Sequence, residues 1–435
     1  MQKYLLILLL GLSSAVAGQE SEDGIDPDYP DETGVSAYDD SQDAKVVSYE
    51  LGEGVQFQLN GGQYEFSLGA FVQPYADLRS GNLEDTLNPN SLFGVQAARL
   101  FLEGKAHKEK ASFRLDMDFT DGFSLLEAWV GFRPWEFVAF SFGQKLVNSN
   151  NREYINQESN LQFPIRSALS NYFTQDGREL GVFVDGFIDI HGVLIRPSLG
   201  LTSGDGRNSF GELSTDPDIG GLKLLGRIDF LPLGDFSGDG ANFTADLFRE
   251  PTPKLVIGAA ASINNGASGK TGEAHGAFQL WDGTGTVAYA DYEKLYVDLL
   301  FKYQGFSLLA EFVNARIVAD QILYLDPVAN EFLDGANIAD NYVVGQGINV
   351  QLGYVFEKGT SIDLRYSTIM PEFDVTTSQL AQENWYTAGI SHYFNRMNGF
   401  KLSGSVTYRE NTTLGEATGE PFNGIFGLIM AQIML

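Results

Sequence analysis

Phe113-Arg114-Leu115-Asp116-Met117-Asp118-Phe119 changes from apolar to charged at every step. Successive side chains of a strand point to opposite faces, so this stretch has one face suited to hydrocarbon and one suited to water. The same alternation returns in Arg99-Leu100-Phe101-Leu102-Glu103-Gly104-Lys105, Leu222-Lys223-Leu224-Leu225-Gly226-Arg227-Ile228-Asp229-Phe230, Lys294 to Lys302 and Ile362-Asp363-Leu364-Arg365-Tyr366. From 63–79 to 425–435, sixteen such segments of roughly ten residues follow one another, the strand length a bilayer demands.

The connections between them alternate. Long ones cover 80–96, 145–177, 203–219, 265–287, 319–345, 369–383 and 410–424, and short ones include Lys108-Glu109-Lys110, Trp135-Glu136 and Gln304-Gly305. Long loops at one end and tight turns at the other predict an all-β, antiparallel transmembrane barrel of about sixteen strands over 51–435. Two places break the rhythm: 121–123 is short on the long side, and 233–253 is long on the short side. Aromatic residues flank the short turns, as in Phe132, Trp135 and Phe137, or Tyr393 and Phe394, where an interfacial belt belongs.

What precedes the barrel is of two kinds. Lys3, the apolar run Tyr4–Leu12 and the small-residue pattern Ala15-Val16-Ala17 read as a signal peptide over 1–17, which addresses the chain to the outer membrane of a double-membrane bacterium. Residues 18–50 carry eleven acids against Lys45, with Pro27 and Pro30 and no apolar period, and read as a disordered acidic tail.

The composition removes several classes of function. With 28 Lys+Arg against 57 Asp+Glu, the net charge of −29 excludes a nucleic-acid partner. No cysteine means no disulfide frame, thiol nucleophile or zinc ribbon. An enzyme is not expected: Ser391 and His392 adjoin on one strand and so face opposite ways, and carboxylate pairs such as Asp116 and Asp118 lack a cleft. No cofactor is expected. Asp235, Ser237, Asp239 and Asp246 mimic the spacing of a calcium loop, but without its flanking helices a Gly-rich turn is the better account.

Several stretches together resemble the phosphate-selective porin O and P family. They are Phe142-Gly143-Gln144-Lys145, Arg152-Glu153, Leu161-Gln162-Phe163-Pro164-Ile165-Arg166-Ser167, Arg178-Glu179-Leu180-Gly181, Leu231-Pro232-Leu233-Gly234-Asp235, Phe306–Phe312 and Gly389–Asn395, in that order. The resemblance spans roughly residues 60–435. It implies a homotrimeric outer-membrane porin, seated in lipid, with a constricted lumen that admits small anions such as phosphate. The chain departs from that family in its acidity and in ending on Leu435.

Charge placement refines the expectation. The polar parity of the strands carries thirteen bases, Arg114 and Arg133 among them, against ten acids, so the wall is slightly positive although the molecule is acidic. Loop 145–177 is the candidate constriction, with Lys145, Arg152 and Arg166, and Arg178 at its exit, as anion contacts. Nearby acids offer the competing account, a lattice of salt bridges. Two other functions fit the same residues: a secreted or surface β-sandwich that binds calcium or carbohydrate, and a non-selective or cation-preferring porin.

Overall fold

A computed structural model describes residues 46–50, 54–59, 62–80, 93–107, 110–120, 122–208, 221–274, 276–394, 397–414 and 421–435. In chain order the strands are β1 Val46–Glu50, β2 Gly54–Leu59, β3 Tyr64–Ser80, β4 Phe93–Ala106, β5 Ala111–Asp118, β6 Ser124–Trp135 and β7 Val138–Leu146. After loop 147–177 come β8 Arg178–Gly186, the short β9 Ile188–Ile190, β10 Val193–Thr202, β11 Lys223–Leu231 and β12 Lys254–Asn264. The last seven are β13 Asp291–Tyr303, β14 Phe306–Val318, β15 Gly345–Val355, β16 Thr360–Pro371, β17 Glu383–Tyr393, β18 Phe400–Leu414 and β19 Pro421–Met434.

From β3 to β19, leaving aside the three-residue β9, sixteen strands pair antiparallel with their chain neighbours. The ring then closes: β19 pairs with β3, from Ile425 opposite Ser80 to Met434 opposite Phe71. Leu435 and Ala70 exchange backbone hydrogen bonds of 2.7 and 2.9 Å beyond that. Among the described residues closure leaves no free barrel edge and no second sheet, which overturns the β-sandwich reading.

The alternation in the sequence becomes an outer apolar surface. Leu199 and Leu201, Ile362 and Leu364, Leu402 and Val406, and Ile425, Ile429 and Ile433 are all exposed, two or four residues apart along their strands. Apolar surface of that extent belongs in lipid. Aromatic pairs mark the turn end: Trp135 and Phe137 stack at 5.9 Å, and Phe394 and Phe400 at 4.3 Å. A row of Tyr366, Tyr386 and Tyr408 crosses β16–β18 at 5.2 and 6.2 Å spacing. Among the described residues no helix is long and apolar enough to cross a membrane.

Two expectations need correction. Residues 1–45, with the signal peptide and most of the acidic tail, lie outside the described residues, but Val46–Glu50 at the tail's end is strand β1. Its β-prone run Val-Val-Ser-Tyr pairs with β2, and β2 pairs with the first residues of β3. The lumen, moreover, is not uniformly polar. Leu231, Val256, Leu300 and Leu309 on inner walls pack on Phe236 of segment 233–253. Tyr292, Tyr296, Val313 and Ile369 pack on helix Ala168–Phe173. Both segments are folded into the barrel, and each needs an apolar seat there.

The outer surface generates a test. Leu364 lies mid-strand on β16, more than half exposed. Leu364→Arg should lower folding stability in lipid vesicles by about 2–4 kcal/mol, measured by denaturant titration, whereas Leu364→Ile should be near neutral.

Candidate functional site

Loop 147–177 crosses the lumen and is held by the opposite wall. The helical turn Arg152–Ile155 docks first: Glu311 on β14 accepts from the Glu153 N–H at 2.7 Å and from Asn151 Nδ2 at 3.1 Å. Glu153 in turn accepts from Ser167 and Ser170 hydroxyls at 2.6 and 2.5 Å and pairs with Arg365 on β16 at 3.2 Å. Arg365 also donates to the Ile165 carbonyl, Lys401 on β18 to that of Leu161, and Gln432 on β19 to that of Ser159, at 2.8, 2.9 and 3.1 Å. The wall makes room as well. A Cβ on Gly389 would meet Phe163 at 2.7 Å, and one on Gly353 would overlap Gln162.

The loop's exit is clasped by Glu273, which accepts from the N–H groups of Gln175, Asp176 and Gly177 at 3.1, 2.9 and 3.0 Å and pairs with Lys294 at 2.8 Å. Burial pushes this carboxyl upward, but Lys294 and Lys223 outweigh it and hold it at about 2. From the other end, segment 233–253 rises to meet the loop: Thr244 bonds the Gln162 N–H at 2.7 Å, and its own N–H reaches the Asn160 carbonyl at 3.3 Å. Two segments thus meet within the barrel.

Side-chain exposure shows where water still passes. Lys223, Lys294, Arg365 and Glu383 are at most 3% exposed. Arg114, Lys145, Asp185, Asp229 and Arg196 range from 10 to 35%. The buried ones lie on β11, β13, β16 and β17 and the partly exposed ones on β5, β7, β8, β10 and β11, so the more open half of the lumen is on the β5–β11 side.

At the rim of the open half, Glu158 of the loop is gripped from both sides. Arg99 on β4 pairs with it at 2.7 Å and Arg166 at 3.2 Å. Burial raises the Glu158 carboxyl, but Arg99, Arg166 and Arg178 together hold it well below the usual carboxylate range. Next to them Arg114 pairs with Asp116 at 3.0 Å and with Glu103, and Arg99 reaches Asp118 at 3.4 Å. Glu127 stands between Arg114 and Arg178, 3.8 and 3.9 Å from their Nε atoms. Those distances are too long for hydrogen bonds, and both buried Nε–H donors lack a protein acceptor among the described residues.

Three of the residues expected from the sequence, Arg114, Arg166 and Arg178, therefore meet in one cluster. The others do not. Arg152 is buried against Asp229 and Asp298 at 2.6 and 2.7 Å. Lys145 pairs with Asp185 at 3.5 Å, over Trp129 and Phe183. Arg133 is at the turn end, donating to the Glu136 carbonyl beneath Phe187. Arg99 completes the cluster without having been singled out, because no local pattern tells which strand will face the inserted loop. The calcium-like run is a closed turn: Asp235 pairs with Arg196, Ser237 bonds Glu250, and Asp246 accepts from the N–H groups of Glu250 and Gly305.

Glu158 and Arg166 also line a vestibule of about 640 Å³, together with Tyr172, Lys270, Trp385 and Arg409. In its wall Glu383 accepts from Tyr172 Oη at 3.1 Å and Trp385 Nε1 at 2.8 Å and pairs with Arg409.

No family model matches the chain, and no curated protein matches it. Solved structures do. A loop-deletion form of OmpT, an outer membrane protein of Vibrio cholerae, superposes with a TM-score of 0.52 at 13% identity, over 86% of this chain and 100% of that one. The anion-selective porin from Comamonas acidovorans gives 0.51 at 12%, over 86% and 100%. OprB of Pseudomonas putida gives 0.51 at 12%, over 86% and 94%. The fold is that of an outer-membrane porin.

The clasp at the loop's exit can be tested by substitution and by pH. Glu273→Gln strands buried Lys294 and should cost about 3–5 kcal/mol in denaturant unfolding of the detergent-solubilised barrel, with a larger single-channel conductance as the loop loosens. The Glu273 carboxyl lies lower in the fold than its unfolded value of ~4.3, so its contribution is complete above that pH and is lost only as pH falls through about 2. Loosening of the loop exit, followed by conductance, should therefore begin in the wild type only well below pH 4.

Proposed function

We propose that the chain is an outer-membrane porin, exported by residues 1–17, that lets small solutes diffuse passively and prefers small anions such as phosphate. Lumen contacts come from Arg99, Arg114, Arg166 and Arg178, and the protein is a channel rather than an enzyme. The observation that carries the anion preference is the setting of Glu158: one carboxylate faces three guanidiniums, leaving local positive charge at the narrowed part of the lumen. The resemblance to the phosphate-selective family supports a homotrimer as the assembly.

One observation favours a second reading. With the wall acids included, the cluster sets Arg99, Arg114, Arg166 and Arg178 against Glu103, Asp116, Asp118, Glu127 and Glu158, four bases to five acids. That balance suits a porin that is non-selective or prefers cations.

Reversal potentials in potassium chloride gradients across planar bilayers separate the two. Acidic loops attract cations to the mouth, and screening acts over ~8 Å at physiological salt and ~3 Å at 1 M, so the mouth's influence fades before that of a narrow interior. Anion preference should therefore grow as salt rises. Arg166→Gln should move the reversal potential toward cations at every salt concentration. Cation preference throughout, unmoved by that substitution, establishes the second reading.

A further inference from the structure

Residues of two unlike kinds line the vestibule. Of one kind are Trp385 and Phe426, which stand edge to face at 5.7 Å, with Leu161 and Ile165 also lining the space. The indole N–H is spent on Glu383, so Trp385 has no donor left for a solute, and the Arg409 guanidinium lies over its ring at 5.7 Å. Arg409 is paired with the same fully buried carboxylate, which also takes the Tyr172 hydroxyl. Its charge is thereby matched inside the wall. Of the other kind is Lys270, which is exposed, lines the vestibule and makes no ion pair among the described residues. A hydrated inorganic anion would use the lysine and leave the aromatic wall idle. A volume of about 640 Å³ falls within the ~300–1,000 Å³ of small-molecule sites.

We infer that this vestibule is a binding site for small carboxylates with an apolar body, such as benzoate, with the carboxylate at Lys270 and the body against Trp385 and Phe426. The proposal rests on the porin reading for its route of access but concerns a different solute class from phosphate. Apolar contact and one charge-assisted hydrogen bond, made at opposite ends of one solute, give selectivity that neither supplies alone.

Current through the full-length protein in a planar bilayer provides the test, with benzoate, acetate and benzyl alcohol added in turn to potassium chloride. An absent current overturns the porin reading; for the vestibule the same three probes are then measured by calorimetry on the protein in detergent. With current present, benzoate should interrupt it at concentrations at least tenfold below those at which acetate or benzyl alcohol does. Lys270→Gln, at an exposed position where only the backbone carbonyl is bonded, by the Val343 N–H at 2.7 Å, should weaken the benzoate effect about five- to tenfold, the loss of one charged contact. Trp385→Phe, which keeps an aromatic wall, should retain most of it. Equal effects of benzoate and acetate, or a Lys270→Gln protein that responds like the wild type, overturn the proposal.

Discussion

Hydrocarbon offers the backbone no hydrogen-bond partner, and nearly everything else in this molecule follows from that. A sheet in lipid must close on itself, and this one does so where Met434 meets Phe71 and Leu435 meets Ala70. Closing sixteen strands produces a cylinder too wide for wall side chains to fill. To narrow the lumen, chain has to be folded into it, and inserted chain brings its own N–H and C=O groups. The same demand is thus met twice, first between strands and then between wall and loop.

That second demand explains the charged inner wall better than solute recognition alone does. Glu311, Lys401, Arg365, Gln432 and Glu273 each bond backbone of the inserted loop. Lys302 does the same for segment 233–253, donating to the Gly240 and Ala245 carbonyls at 2.7 Å. A buried ion pair is a weak source of stability, yet removing one member leaves an expensive orphan. Such residues fix where the loop lies. The partly exposed charges of β4–β11 are the ones that still face water.

Much of this was legible in the sequence, because period two is a property of neighbours. Each of the sixteen segments appears as a strand, and Arg114, Asp116 and Asp118 do share the inner face that Phe113-Arg114-Leu115-Asp116-Met117-Asp118-Phe119 implies. The long connection at 233–253 was visible as a break in rhythm, but not as a segment that enters the barrel. Which bases would meet was not legible either. Arg152 and Arg166 lie on one loop, yet one reaches β11 and β13 and the other turns back to Glu158. Sequence distance carries no information about which wall an inserted loop meets. Gly353 and Gly389 were a usable signal: inward-facing glycines opposite a long loop mark where that loop is seated.

Net charge and the field inside the lumen are set by different residues. At the loop end, Asp282 and Asp326 accept hydrogen bonds from their own turns, Asp282 from Thr284 and Thr286 and Asp326 from Glu331 and Asn330. Those bonds hold both carboxyls below their ordinary range, so their acidity persists on mild acidification. In the cluster around Glu158 the count of charges nearly balances, but balance is not neutrality at an atom. Arg114 and Arg178 are kept in place by carboxylates while their Nε–H groups stay unbonded to protein. A buried donor without a protein acceptor has to be met by water or by whatever replaces water. An oxyanion satisfies such donors and a cation cannot, which is the physical ground on which the proposed anion preference rests.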